Sequence, residues 1–236
     1  MENAGYTTLT RQSGLMHEMQ IIANNIANQS TAGYRREDMV FSEYIKRLDR
    51  HDSLSMARGN TRHLDLSQGG LTATGAPLDL AIQGEGFFLL ATPDGDRLTR
   101  AGAFLASEEG LLVNAEGYSV LDAGGGPINL PMQARTINIS TDGTVSADEQ
   151  VIAQIALWAP ENINTLQHQA GTLFKADNPM PLETAVIRQG FIEESNVDPI
   201  SEITRMISVQ RSYEMGQKFL EAEHERQKNI IQTLGR

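Results

Sequence analysis

From Ile200 to Arg236 the chain contains no proline, and positions 206, 209, 213, 216, 220, 223, 227, 230 and 234 hold Met, Val, Tyr, Gly, Leu, Glu, Gln, Ile and Leu. Alternating steps of three and four mark one face of an α-helix. The pattern predicts a helix over 201–234, capped by Asp198 or Ser201 with Pro199 tolerated in its first turn. Such a helix is about 50 Å long at ~1.5 Å per residue. A compact domain of 236 residues does not need that length, so the helix is expected to protrude or to pack on another subunit.

The opposite end carries a matching constraint. Thr8 to Asn28 is free of proline, Leu15, Met19, Ile22 and Ile26 form an apolar stripe, and Gly33 offers a stop. Two long amphipathic ends cannot both bury their stripes on what lies between them, so they are expected to pack on each other or on neighbours. An isolated helix of about 20 residues is marginal in water. The N-terminal one is therefore expected to become ordered only on assembly.

Between the ends the pattern changes from helical to strand-like. Short apolar runs at 78–82, 87–91, 103–106, 111–113, 118–121, 137–139, 152–158 and 185–191 are separated by Asp94-Gly95, Glu109-Gly110, Glu116-Gly117, Gly124-Gly125-Gly126 and Asp142-Gly143. These are strands and tight turns of a small antiparallel β domain. Residues 46–76 are polar and read as extended. The fold class is α+β: a discontinuous, coiled-coil-like helical domain from 1–35 and 196–236, an extended connector over 36–77, and a central, mostly antiparallel β-rich domain over 78–195.

Composition removes several kinds of chemistry. There is no cysteine, which excludes disulfides and thiol catalysis by this chain. Nineteen Lys and Arg against 30 Asp and Glu give a net charge of −11, a poor match to nucleic acid or anionic lipid. No run approaches the ~18 apolar residues of a membrane span, and the polar start with Glu2 lacks a secretory leader pattern. His17, His51, His63, His168 and His224 are scattered without metal-site spacing. No nucleophile elbow or phosphate loop is present. Gln83-Gly84-Glu85-Gly86-Phe87-Phe88 sits within a strand pattern and reads as a corner that turns the phenylalanines inward. Glu108-Glu109 and Glu193-Glu194 read as solvated surface. No catalytic residue, metal site or cofactor is expected.

One segment departs from its local pattern. Ile22-Ala23-Asn24-Asn25-Ile26-Ala27-Asn28 places three asparagines, each about 0.5 kcal/mol worse than alanine, inside a helical stripe. Asn24 and Asn28 share a face and suit polar contacts with a neighbouring helix; a fraying helix end is the other reading.

At these residues the chain resembles the bacterial flagellar axial family of rod, hook and hook-associated proteins. The N-terminal signature stands here as Ile21 to Arg35. The C-terminal one stands as Ser195-Asn196-Val197-Asp198-Pro199-Ile200-Ser201-Glu202 with Met206 to Met215, and a middle block runs over Leu78 to Phe88 and Leu98 to Phe104. The opening Glu2 to Tyr6 and Thr10-Arg11-Gln12 look most like the proximal-rod branch, with the distal rod as near neighbour. The resemblance implies a rod subunit of the flagellar basal body, exported by the flagellar type III apparatus and polymerised through its terminal helices with copies of itself and other rod subunits. It implies helix packing through Leu15, Met19, Ile22, Ile26, Met206, Val209, Tyr213 and Leu220, and inter-subunit polar contacts through Asn24, Asn25, Asn28, Gln210 and Arg211. An exported hydrolase or adhesin on a helical stalk is the alternative from another class.

Overall fold

The computed structural model describes residues 2–48, 51–182 and 186–234. It divides into a helical unit, Met1–Gln29 with Arg36–Leu66 and Val197–Arg236, and a β unit, Ser30–Arg35 with Ser67–Asn196. The architecture is α+β, as the patterning predicts.

The helical unit holds α1 (Glu2–Ala27), β1 (Glu37–Leu48), β2 (His51–Leu64) and α2 (Pro199–Leu234). Asp198 caps α2: its carboxylate accepts from the Ile200 amide at 3.2 Å and the Ser201 hydroxyl at 2.5 Å. The two helices are antiparallel, since Gln12 meets Tyr213 while Asn25 meets Glu202. Strands β1 and β2 form a two-stranded antiparallel ribbon, paired from Glu37 opposite Leu64 to Leu48 opposite His51 with register shifts between Val40 and Phe41 and between Lys46 and Leu48. This ribbon lies within the segment read as an extended connector. Adjacent apolar pairs, Val40-Phe41 and Tyr44-Ile45, obscure the alternation that marks a strand, and no Asn-Gly or Asp-Gly signal joins the two halves. A lone ribbon is marginal in water; this one lies against α1.

In the β unit, β3 (Leu71–Ala73), β4 (Leu80–Gln83), β5 (Phe88–Thr92), β6 (Gly95–Thr99), β7 (Leu105–Ala106), β8 (Leu112–Val113), β9 (Ser119–Val120) and β10 (Ile137–Ile139) come first. There follow β11 (Thr144–Ala147), β12 (Gln150–Gln154), β13 (Leu157–Pro160), β14 (Gln167–His168), β15 (Leu173–Lys175), β16 (Pro179–Leu182), β17 (Val186–Gln189) and β18 (Phe191–Glu193). All strand pairings among the described residues are antiparallel. The largest sheet runs β14-β15-β6-β5-β9-β8-β7, beside a β10-β11-β12 sheet and the pairs β13-β16, β17-β4 and β18-β3.

Each of the five turn signals carries a glycine at positive φ. The corner at Gly84 and Gly86, φ +103° and +113°, does deliver Phe87 and Phe88 to the interior. The run 152–158 is two strands rather than one, interrupted where Ile155 bridges Asp122 and enters the core. Strand β16 escapes the pattern because Pro179 and Pro181 read as breakers; it is paired only with β13, where a missing N–H is tolerated. The core gathers Leu80, Ile82, Phe88, Leu90, Phe104, Leu112, Val120 and Ile187 among others, with Phe88 and Phe104 edge to face at 5.1 Å.

Candidate helix-pair assembly site

The α1–α2 seam is built from the predicted stripes. Leu15, Ile22 and Val209 are buried in it, and Met19, Ile26, Met206 and Tyr213 pack around them. Leu220 is half-buried further along α2. Gly216 stands in the same stripe for a reason of space. A Cβ there would run into the Gln12 amide, whose Nε2 donates to the Tyr213 carbonyl at 3.0 Å.

Among the described residues three buried apolar side chains centre the α1–α2 seam, and polar groups lie beside them. The Arg205 guanidinium on α2 meets Glu18 of α1 at 2.8 Å and Asp38 of β1 at 2.5 Å. Arg36 reaches Asp38 at 3.5 Å and donates to Glu202 of α2 at 2.6 Å. Arg62 of β2 meets Glu37 at 3.4 Å. Asn25 closes the chain of contacts. It is fully buried, its Nδ2 donating to the Glu37 carbonyl at 2.8 Å and to Glu202 at 3.1 Å, and its Oδ1 accepting from the Glu37 amide at 3.0 Å. Three arginines and four carboxylates thus alternate through α1, α2 and the root of the ribbon.

The charges reinforce one another. Burial works against ionisation of Asp38, but the Arg205 hydrogen bond, the Met39 amide and the Arg205 and Arg36 charges outweigh it and hold the carboxyl below its ordinary value. The Asp38 and Glu18 contacts raise Arg205 above its ordinary value against the cost of burial.

The asparagines separate on inspection. Asn25 spends its amide inside the chain, because a buried side chain must satisfy its donors and acceptor locally; it is an intramolecular tie rather than a surface for neighbours. Asn24 is exposed, and Asn28 donates to the Asn24 carbonyl at 2.9 Å. Gln210 and Arg211 are exposed on α2, with Gln210 donating to Glu214 at 3.1 Å. Sequence reasoning missed the ionic network because its members lie far apart: Glu18 and Arg205 are 187 residues apart. The run Arg36-Glu37-Asp38 was the available signal.

The helices also leave exposed apolar surface, including Ile200, Ile203 and Ile207 on α2 and Leu9 and Met16 on α1. A groove of about 370 Å³ lies between α1 and α2, with Arg11 its one titratable lining residue. A second of similar size in the β unit has only Asp142. Among the described residues no group of His, Asp and Glu is placed to hold a metal, and no helix is long and apolar enough to cross a membrane.

Comparison with known proteins follows the same division. Residues 6–35 match the family model "Flagella basal body rod protein", 81–147 match "Flagellar hook protein FlgE/F/G D1 domain", and 188–233 match "Flagellar basal body rod FlgEFG protein C-terminal". The flagellar basal-body rod protein FlgF of Caulobacter vibrioides is 35% identical over 100% of this chain and 99% of its own length. FlgF of Mesorhizobium japonicum is 34% identical at the same coverage, and the rod protein FlgG of Bacillus subtilis is 30% identical over 97% of this chain and 96% of its own. With the terminal matches falling on α1 and α2 and full-length identity above 30%, the chain belongs to the flagellar basal-body rod protein family.

Proposed function

We propose that the protein is a structural subunit of the proximal rod of the flagellar basal body, of FlgF type. The observation that carries this is end-to-end similarity to FlgF proteins at 31–35% identity over 100% of this chain and 99% of theirs. In this reading the chain leaves the cytoplasm through the flagellar type III apparatus and polymerises by its terminal helices, joining copies of itself and other rod subunits in the periplasm-spanning shaft. The exposed apolar residues of α1 and α2, with Asn24, Asn28, Gln210 and Arg211, supply the lateral contacts. Contacts between unlike patches of neighbouring copies need not close on themselves and, where the rotation leaves them open, propagate into a helical tube rather than a dimer. The role in this reading is scaffolding.

Mass spectrometry of purified hook–basal bodies, with micrographs and motility of the deletion strain, tests this. Presence at far lower copy than the distal-rod subunit and a rod that stops short on deletion support the proximal assignment. High copy number places the protein in the distal rod or hook. Absence from the particle, with normal swimming on deletion, overturns the reading.

A further inference from the structure

The strand end just before α2 carries Glu193, read from the sequence as solvated surface but wholly buried in the β unit. Its Oε1 accepts from Arg35 Nη2 at 2.5 Å and from the Gly69 amide at 2.9 Å; its Oε2 accepts from Arg100 Nη1 at 3.1 Å; its carbonyl accepts from the Gly33 amide at 2.8 Å. The Glu194 amide donates to the Gly70 carbonyl at 2.8 Å, and Asn196 Nδ2 donates to the Ser67 carbonyl at 3.0 Å. Gly33, at φ +73°, and Gly69 admit this closeness, since a Cβ on either would strike backbone, of Arg100 and Ala101 in one case and Glu194 in the other.

These contacts stand where the chain enters and leaves the β unit. The β unit begins at Ser30, is left after Arg35, resumes at Ser67 and is left again after Asn196. Gly33, Arg35, Gly69 and Glu193 lie within three residues of those four points, and one residue gathers them: the Glu193 carboxylate holds Arg35 and Gly69, and its carbonyl holds Gly33.

A plain stabilising ion pair would not be built this way. Two buried guanidiniums share one carboxylate, and Arg35 Nε, Arg35 Nη1 and Arg100 Nε have no partner among the described residues. Arg100 also donates to the Gly84 carbonyl at 2.7 Å and lies over the Phe87 ring, yet burial lowers its basicity despite Glu193 beside it. Buried charge of this kind is a poor source of net stability compared with apolar packing. What it supplies is a set of directional tethers that join Gly33, Arg35, Gly69 and Arg100 to one residue.

We infer that Glu193 is a positioning residue, a junction lock that fixes all four chain entries and exits of the β unit while contributing little to the β core itself. This does not depend on the rod assignment. Hydrogen–deuterium exchange of the full-length Glu193→Gln protein tests it. The amides of 31–36, 67–71 and 191–196 should exchange at least tenfold faster, while those of β5 and β13, and the emission of Trp158, the single tryptophan, stay as in the parent. Unchanged exchange at the three segments overturns the inference, as does uniform acceleration that includes β5. Should Glu193→Gln fail to fold, Arg35→Gln, which keeps the Arg100–Glu193 pair, should loosen 31–36 alone. Failure of both to fold marks the cluster as a global stabiliser and overturns the inference equally.

Discussion

The two units solve the problem of staying folded by opposite means. Among the described residues the β unit encloses fourteen buried apolar residues in one cluster, whereas the α1–α2 seam encloses three, flanked by seven charged side chains and one asparagine. Apolar burial stabilises wherever it occurs, roughly 25 cal/mol per Å². Ion pairs near the surface contribute little each and depend on salt and pH. The β unit therefore rests mainly on apolar burial, and the α1–α2 seam adds a larger share of polar contacts to it. For a family whose members are rod proteins, that division makes sense: a helix pair too well satisfied alone would have less to gain from neighbours.

The comparison breaks most visibly under core truncation. Phe88→Ala removes a ring in edge-to-face contact with Phe104 at the centre of the β core, and should cost about 3–5 kcal/mol. Val209→Ala in the seam should cost about 1–2 kcal/mol, because lost seam contacts are fewer and solvent lies near. Denaturant unfolding followed by Trp158 emission for the first and by helical circular dichroism for the second gives both numbers. Equal costs would mean that the seam is a full core after all.

The ionic network comes next in size. Asn25→Leu strips partners from the buried Glu37 amide and carbonyl and from one oxygen of Glu202, and should cost about 2 kcal/mol, read as lost helical signal with Trp158 emission unmoved. Its pH dependence has a definite sign. Asp38 titrates below its ordinary value in the folded chain, so its contribution is present above the unfolded value and disappears as pH falls through the folded one. Helical circular dichroism should thus weaken below about pH 4 before Trp158 reports any change, and Asp38→Asn should remove part of that acid sensitivity. Limited proteolysis probes the same contrast: cleavage in α1 and α2 should precede any within 78–190.

How much of this could be read from residues depends on the range of the interaction. The α1 and α2 stripes were legible because 3.6-residue periodicity is local, and the turn glycines because their φ is a property of one residue. Leu15, Ile22 and Val209 therefore fell where the stripes put them. Glu193 could not be read as buried, since its partners Arg35 and Arg100 lie 158 and 93 residues away and adjacent glutamates ordinarily face solvent. Asn25 was visible as an anomaly, but whether it served a neighbour or its own chain depended on Glu37 and Glu202, which only folding brings near. Strand β16 failed for a different reason: propensity speaks against prolines in strands, and edge pairing with β13 overrode it.

The smallest expected effect asks whether the β unit has stability to spare. The β11–β12 hairpin turns on Asp148 and Glu149, with φ of +46° and +70°, a pair of left-handed residues of the kind that glycine and asparagine usually supply. A left-handed non-glycine residue is strained by roughly 1 kcal/mol. Among the described residues no side-chain hydrogen bond of Glu149 accounts for its place, so Glu149→Gly should relieve strain and raise stability by about 0.5–1 kcal/mol. Asp148 differs: its carboxylate accepts from the Arg135 and Thr136 amides at 3.1 Å each and from the Thr136 hydroxyl at 3.2 Å, which holds it below its ordinary pKa. Asp148→Gly should gain the same backbone relief but lose those bonds, and come out destabilised. Opposite signs at adjacent positions, measured by Trp158 unfolding, would show that this turn keeps its strain for the sake of one side chain; equal signs would mean that backbone conformation alone decides.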